Sequence, residues 1–277
     1  MTESHRITDW DDAYSNGAHI RGGDAYPARW AERATAFRTE LAAAGRAELD
    51  LPYSEGVRER YDLFRPEGAA KGTVIFVHGG YWMAFDKARW SHLAAGPLAR
   101  GWAVAMPSYT LCPDTRIAGI TRQMARSVEV IAGEEAGPLR LTGHSAGGHL
   151  VSRLACADAP LSDDVRARVG HVVSISGLHD LRPLLNTRMN ATLRLDEAEA
   201  AAESPALLRP QSNIGITCWV GADERPEFVR QTELLANVWL GLGAATALRL
   251  AGGRHHFDVI DDLADPESDL VAALLGS

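Results

Sequence analysis

The sequence predicts an α/β fold in which a mostly parallel central sheet carries helices on both faces. Two observations predict it. Six short runs rich in apolar and β-branched residues, at 72–78, 102–109, 139–144, 169–177, 214–221 and 246–253, have the unbroken hydrophobic character of strands buried on both sides. Between and after them lie longer segments suited to helices, at 88–100, 117–134, 146–157, 226–242, 257–263 and 267–275. Strand alternating with helix is the pattern of a doubly wound sheet, and right-handed crossovers place helices on its two faces.

The first 70 residues depart from that rhythm. A helix is expected over 27–44, with Pro27 suited to an N-terminal helical position. Segments 47–53 and 59–64 read as two antiparallel strands around a Ser54-Glu55-Gly56 turn. A second break falls at 178–212, where a polar, helix-prone insert containing a short Ala/Glu-rich helix at 198–202 follows a sheet strand. Ligands of such sheets bind outside the carboxyl ends of the strands, so this insert, with segment 1–70, is expected to form a small cap over a pocket. A single domain spanning 1–277 suits the length.

Composition narrows the class. The chain has 46% hydrophobic and 23% charged residues, as soluble globular proteins do. Its 28 basic and 36 acidic residues give a net charge of -8, and no Lys/Arg block offers a footprint for nucleic acid or an anionic membrane. No apolar run approaches the ~20 residues of a membrane-spanning helix, and the polar start lacks the apolar core of a secretion signal. A cytoplasmic location and a small-molecule substrate are therefore expected. A homodimer is compatible with the sequence but not specified by it. Cys112, Cys156 and Cys218 form no C-x-x-C pair and read as buried, reduced thiols.

Three motifs carry the chemistry. Gly143-His144-Ser145-Ala146-Gly147 is a G-x-S-x-G between an expected strand and an expected helix. In that context the serine sits on a strained turn as a nucleophile, and glycines on either side let neighbouring chain pass closely. The helix start brings a positive dipole end and the free Ala146 N–H toward a developing oxyanion. His78-Gly79-Gly80-Tyr81-Trp82 follows the strand at 72–77 and is analogous to the HGGG loops of lipases and esterases; Gly80 and Tyr81 would donate from their main chains, with His78 structural. Arg254-His255-His256-Phe257-Asp258 lies after the last strand and supplies a general base in the chain order serine, acid, histidine of the α/β-hydrolase fold. The adjacent histidines have no third ligand at metal spacing, so no metal is expected. The acid belongs after the strand at 214–220. Spacing alone does not separate Asp223 from Glu224, and Glu227 is a third, less favoured candidate.

These residues resemble the kynurenine formamidases, the arylformamidases of the α/β-hydrolase fold. The resemblance is carried by HGGYW at 78–82, GHSAGGHL at 143–150, SGLHDLRPL at 176–184, ESPALL at 203–208, PEFVRQ at 226–231 and HHFDVIDDL at 255–263. YPARWAERA at 26–34 and LPYSEG at 51–56 are similar to the family's N-terminal portion, so nearly the whole chain is covered. The resemblance implies Ser145 as nucleophile and His256 as base, and it favours Glu224 over Asp223 as acid, although many members carry Asp at the Glu224 position. It implies hydrolysis of N-formyl-L-kynurenine to L-kynurenine and formate without metal or organic cofactor. Tyr81 and Trp82 are candidates to contact substrate, and His179, Asp180 and Arg188 are cap residues that could meet its amino-acid group. His149, one helical turn beyond Ser145, is expected to pack rather than react. A carboxylesterase for small acyl esters is the competing enzyme reading, and a non-catalytic binding module is the third.

Overall fold

A computed structural model describes residues 6–276. Its strands are β1 (Ala47–Pro52), β2 (Arg60–Phe64), β3 (Thr73–Val77), β4 (Ala103–Pro107), β5 (Leu139–His144), β6 (Val169–Ile175), β7 (Gly215–Gly221) and β8 (Ala245–Ala251). They form one sheet in the order β1-β2-β4-β3-β5-β6-β7-β8. From β4 across to β8 every pairing is parallel, while β2 lies antiparallel to both β1 and β4. The α-helices are α1 (Trp10–Ala13), α2 (Tyr26–Ala43), α3 (Ala95–Ala99), α4 (Ile117–Glu134), α5 (Ala146–Leu154), α6 (Asp163–Arg168), α7 (Asn190–Leu193), α8 (Glu197–Ala202), α9 (Pro226–Gly241) and α10 (Asp269–Leu275). This is the α/β-hydrolase architecture, with 178–212 forming an insert of short helices and turns.

The apolar runs of β3 to β7 are explained by two core layers, one on each face of the sheet. The run at 246–253, expected to be buried on both sides, instead forms the edge strand β8, which pairs only with β7 and has no buried residue. All five residues of β3 are buried, and they alternate: Ile75 and Val77 pack into one layer, Val74 and Phe76 into the other. In α4, Ile117, Ile120, Met124, Val128 and Ile131 recur every three or four residues and face the first layer. Trp30 of α2 joins Trp90, Leu270 and Leu274 in the second. Helix α2 is also tied to the sheet by Arg38, which pairs with the fully buried Asp62 of β2.

Several boundaries differ from expectation for local reasons. The helix expected over 88–100 is split into a 3-10 segment, Lys87–Ala94, and α3. Pro97 has no N–H for the Leu93 carbonyl, so it interrupts a helix begun before Leu93, yet it is tolerated in the first turn of α3. The segment at 257–263 holds turns and the 3-10 segment Asp261–Ala264 instead of a helix. There the Asp258 carboxylate takes the His255 N–H and closes a tight local turn. Strand β6 stops at Ile175 because Ser176 adopts a positive φ of 52°. Helix α6 was not expected; Ser162 caps it by accepting from the Val165 N–H. No helix among the described residues is long and apolar enough to cross a membrane. The three cysteines are free and buried, and burial pushes their thiols up, Cys112 to about 11 and Cys156 and Cys218 to about 12.

Candidate active site

Four parallel strands deliver the candidate residues to one edge of the sheet. Ser145 follows β5, the Gly79–Trp82 loop follows β3, Glu224 follows β7 and His256 follows β8. Ser145 has φ 56° and ψ -118°, a strained conformation for a residue with a side chain. The turn is crowded: a Cβ on Gly147 would stand 1.9 Å from the Val77 carbonyl oxygen, and one on Gly143 would stand 2.4 Å from that of Gly147. Only glycine admits this approach of β3, β5 and α5, which explains the glycines of G-x-S-x-G.

His256 and Glu224 are in direct contact, with Nδ1 and Oε2 2.6 Å apart. The other carboxylate oxygen accepts from the Ser176 hydroxyl at 2.5 Å and from the Gly221 N–H at 2.8 Å. Three donors thus hold a carboxylate whose side chain is wholly buried. Donation from Nδ1 leaves Nε2 as the unprotonated nitrogen of the neutral ring. Phe228 packs on one side of the His256 ring, with centroids 4.5 Å apart, and His144 on another at 4.6 Å. Asp223, the alternative acid, has an exposed side chain; its N–H bonds the Arg254 carbonyl. Glu227 is also engaged elsewhere, accepting from Tyr14 Oη at 2.6 Å and pairing with Arg230. His255 turns away from His256, to Tyr26 Oη at 3.1 Å.

The loop after β3 is bent by positive φ values at Gly80 (109°), Tyr81 (50°) and Trp82 (58°). The Gly80 and Tyr81 N–H groups have no hydrogen-bond acceptor among the described residues, and Ala146, first in α5, has no intrahelical one. Their aromatic neighbours part company. Tyr81 lines the cavity, and its hydroxyl donates to the Tyr14 carbonyl. Trp82 is wholly buried in the core, edge-on to His149 at 5.1 Å, and does not reach the cavity, which corrects its expected role as a substrate contact.

A cavity of about 490 Å³ opens over Ser145 and His256. Gly80, Tyr81 and His144 belong to its inner wall, while Tyr14, Asn16 and Trp30 from the N-terminal segment and Met189 from the insert supply much of the rest. Nothing in the sequence around residues 11–17 marked them as site residues, because no motif accompanies them. Of the three cap candidates only Arg188 lines this cavity, where its guanidinium bonds Asp11 at 2.7 Å. Asp180 forms a two-pronged pair with Arg182. His179 is buried between the Gln231 carbonyl and the Ser174 hydroxyl, each 2.9 Å away. His149 Nε2 donates to the Glu203 carbonyl at 2.6 Å, and burial lowers its imidazole to about 3. His78 lies between Tyr109 and Trp90 in parallel stacks and is lowered by burial to about 4.

A serine on a strained strand-to-helix turn, sharing a pocket at the carboxyl edge of the sheet with a carboxylate-bound histidine, marks a hydrolase of the α/β-hydrolase fold. Residues 61–214 match the BD-FAE family model. The kynurenine formamidase of Salmo salar is 30% identical over 240 residues, covering 82% of this chain and 80% of that protein. The one from Danio rerio is 29% identical over 271 residues, covering 90% and 92%. The chain belongs to the kynurenine formamidase family. Among solved structures, a protein of Silicibacter sp. TM1040, provisionally described as a thioesterase, superimposes with a TM-score of 0.92 at 51% identity, covering 96% of this chain and 98% of that one. Esterase B of Lactobacillus rhamnosis shares the fold, with a TM-score of 0.65 at 20% identity over 91% and 93% of the two chains.

Proposed function

We propose that this hydrolase cleaves aryl formamides by a serine mechanism, with N-formyl-L-kynurenine as substrate and L-kynurenine and formate as products. The observation that carries the mechanism is the 2.6 Å contact between His256 Nδ1 and Glu224, at the edge of the cavity that Ser145 shares. The formamidase relatives support the substrate class.

In this reading His256 Nε2 takes the Ser145 proton as Oγ attacks the formyl carbon. The tetrahedral oxyanion rests on the N–H groups of Gly80, Tyr81 and Ala146, each such donor stabilising the transition state by about 3 kcal/mol. The protonated imidazole, steadied by Glu224, then gives its proton to the departing aniline nitrogen as the C–N bond breaks. A water deprotonated by His256 attacks the formyl ester, and formate leaves as Ser145 recovers its proton. Glu224 orients the ring throughout. Tyr81, which lines the cavity, would bear on the bound aryl group.

Ester or thioester hydrolysis is the second reading, favoured by the description of the 51% identical Silicibacter protein. The deciding experiment compares N-formyl-L-kynurenine with p-nitrophenyl acetate for the wild type and Ser145→Ala. Formamide turnover lost in the variant supports both nucleophile and substrate. Strong ester turnover with negligible formamide turnover keeps the nucleophile and transfers the chain to the second reading. A variant as active as the wild type on both removes Ser145 from the mechanism.

A further inference from the structure

The cavity that Ser145 lines contains a polar side chain with nothing to bond. Asn16 is 6% exposed, and both its Nδ2 and its Oδ1 are buried without a partner among the described residues. Its backbone is fixed, because the Asn16 carbonyl accepts from the His19 N–H at the start of the 3-10 turn Gly17–His19. The carboxamide branches from this fixed backbone into a buried medium, where an unmatched donor and acceptor are costly.

Its location specifies what it could meet. Asn16 lines the cavity over Ser145 and also a smaller one, of about 140 Å³, behind His256 and Glu224. His256 belongs to both as well. A histidine that protonates a departing nitrogen must face the leaving group, so a residue that shares both of that histidine's cavities is in position to meet that leaving group. Several other polar groups lining this cavity are already matched: Tyr14 Oη by Glu227, Tyr81 Oη by the Tyr14 carbonyl, Asp11 by Arg188, and His144 Nε2 by the His256 carbonyl. The Ser15 hydroxyl has no partner among the described residues, but Ser15 is only half-buried, so water can satisfy it as it cannot satisfy Asn16. The Trp30 and Trp90 indoles also lack acceptors, but each can only donate. Asn16 offers a donor and an acceptor together.

We infer that Asn16 is a specificity-determining residue that reads the leaving group of the substrate. Its ligand is an arylamine leaving group carrying its own hydrogen-bonding substituents, as the ketone and amino-acid end of kynurenine do, and not a plain anilide or phenol. This rests on the formamidase reading and deepens it. A site built to return hydrogen bonds discriminates strongly against an analogue lacking them, because its own polar atoms are then left unmatched.

The test measures kcat/KM of the full chain for N-formyl-L-kynurenine and for formanilide, which has the same formyl anilide and no side chain. Wild type, Asn16→Ala and the nearly isosteric Asn16→Leu are compared, with p-nitrophenyl acetate turnover reporting whether each variant is assembled. The wild type should prefer N-formyl-L-kynurenine, and both variants should lose about tenfold or more of that preference, mainly through KM. An unchanged ratio, even with lower absolute rates, overturns the inference and makes Asn16 a brace for the His256 wall. A wild type that cleaves the ester but neither formamide refutes the formamidase reading, and the inference falls with it. Should both variants fail to fold, wild-type ester hydrolysis decides: L-kynurenine should inhibit it at least about tenfold more tightly than aniline, and equal inhibition overturns the inference.

Discussion

The imidazole of His144 donates from Nε2 to the main-chain carbonyl of His256 across 2.9 Å. The residue just before the proposed nucleophile therefore holds the loop that carries the proposed base. Burial, reinforced by the neighbouring His256, keeps the His144 imidazole well below the usual histidine range, so it is a neutral donor at working pH. His144→Phe keeps a ring in the space but orphans the His256 carbonyl. It should lower stability by about 1–3 kcal/mol. Misplacing the base should reduce kcat roughly 10- to 100-fold with KM little changed. Steady-state kinetics together with urea denaturation separate the two effects, and an unaltered kcat would show that the loop is held by other contacts.

Glu224 and Asp223 are adjacent, yet only Glu224 touches His256. Glu224→Gln should cost on the order of 10³–10⁴ in kcat by disturbing the tautomer and orientation of the ring. Asp223→Asn, on an exposed side chain, should change activity by no more than about twofold. Purified variants assayed on one substrate at saturation check both values, and equal losses would remove the distinction between the two carboxylates.

Tyr14 ties the N-terminal segment to the body of the enzyme through the 2.6 Å bond from its hydroxyl to Glu227, itself paired with Arg230. Tyr14→Phe deletes a buried bond to a charged acceptor and should lower stability by about 1.5–3 kcal/mol. Because Tyr14 also lines the cavity and its carbonyl receives the Tyr81 hydroxyl, KM should rise as well. Equilibrium unfolding of wild type and variant measures the first effect, and a change below about 0.5 kcal/mol would show that the segment is anchored elsewhere.

Acid should unfold this protein early. Burial holds His78 and His179 at about 4 and His149 at about 3, against about 6.5 for a histidine in the unfolded chain. Between those values the unfolded chain binds more protons than the native one, so stability falls as pH falls. The contribution is whole above about 6.5 and declines toward about 4, by up to about 1.4 kcal/mol per pH unit for each histidine. Urea midpoints at pH 7.5 and 5.5 should differ accordingly; identical midpoints would mean that these imidazoles take up protons without unfolding.

The sequence was most informative where one motif contains its own geometry. The strand, glycine, serine, glycine and helix of residues 139–154 define a turn that only one backbone path satisfies, and it is found there. The run of apolar residues in each central strand likewise announced burial on both faces. Choosing between Asp223 and Glu224 required more, since the decision lies in how the loop turns: the Gly221 N–H draws the Glu224 carboxylate inward while Asp223 points to solvent. The same holds for Tyr81 and Trp82, neighbours that successive positive φ values send to different places, one to the cavity and one to the core. The N-terminal wall was the least legible. Tyr14 gains its meaning from a bond to a residue more than two hundred positions away, and Asn16 from cavities it shares with His256; local pattern carries no trace of either.

Those distant contacts bear on how the enzyme comes into being. Tyr14 meets Glu227 and Tyr26 meets His255, partners 213 and 229 positions apart. A chain emerging from the ribosome exposes its serine turn well before either partner has been made, so a nascent polypeptide carries Ser145 without Glu224, His256 or a closed wall. Under the proposed mechanism, catalytic competence would then wait on the segments that follow β7 and β8, and a chain cut short before Glu224 should lack activity.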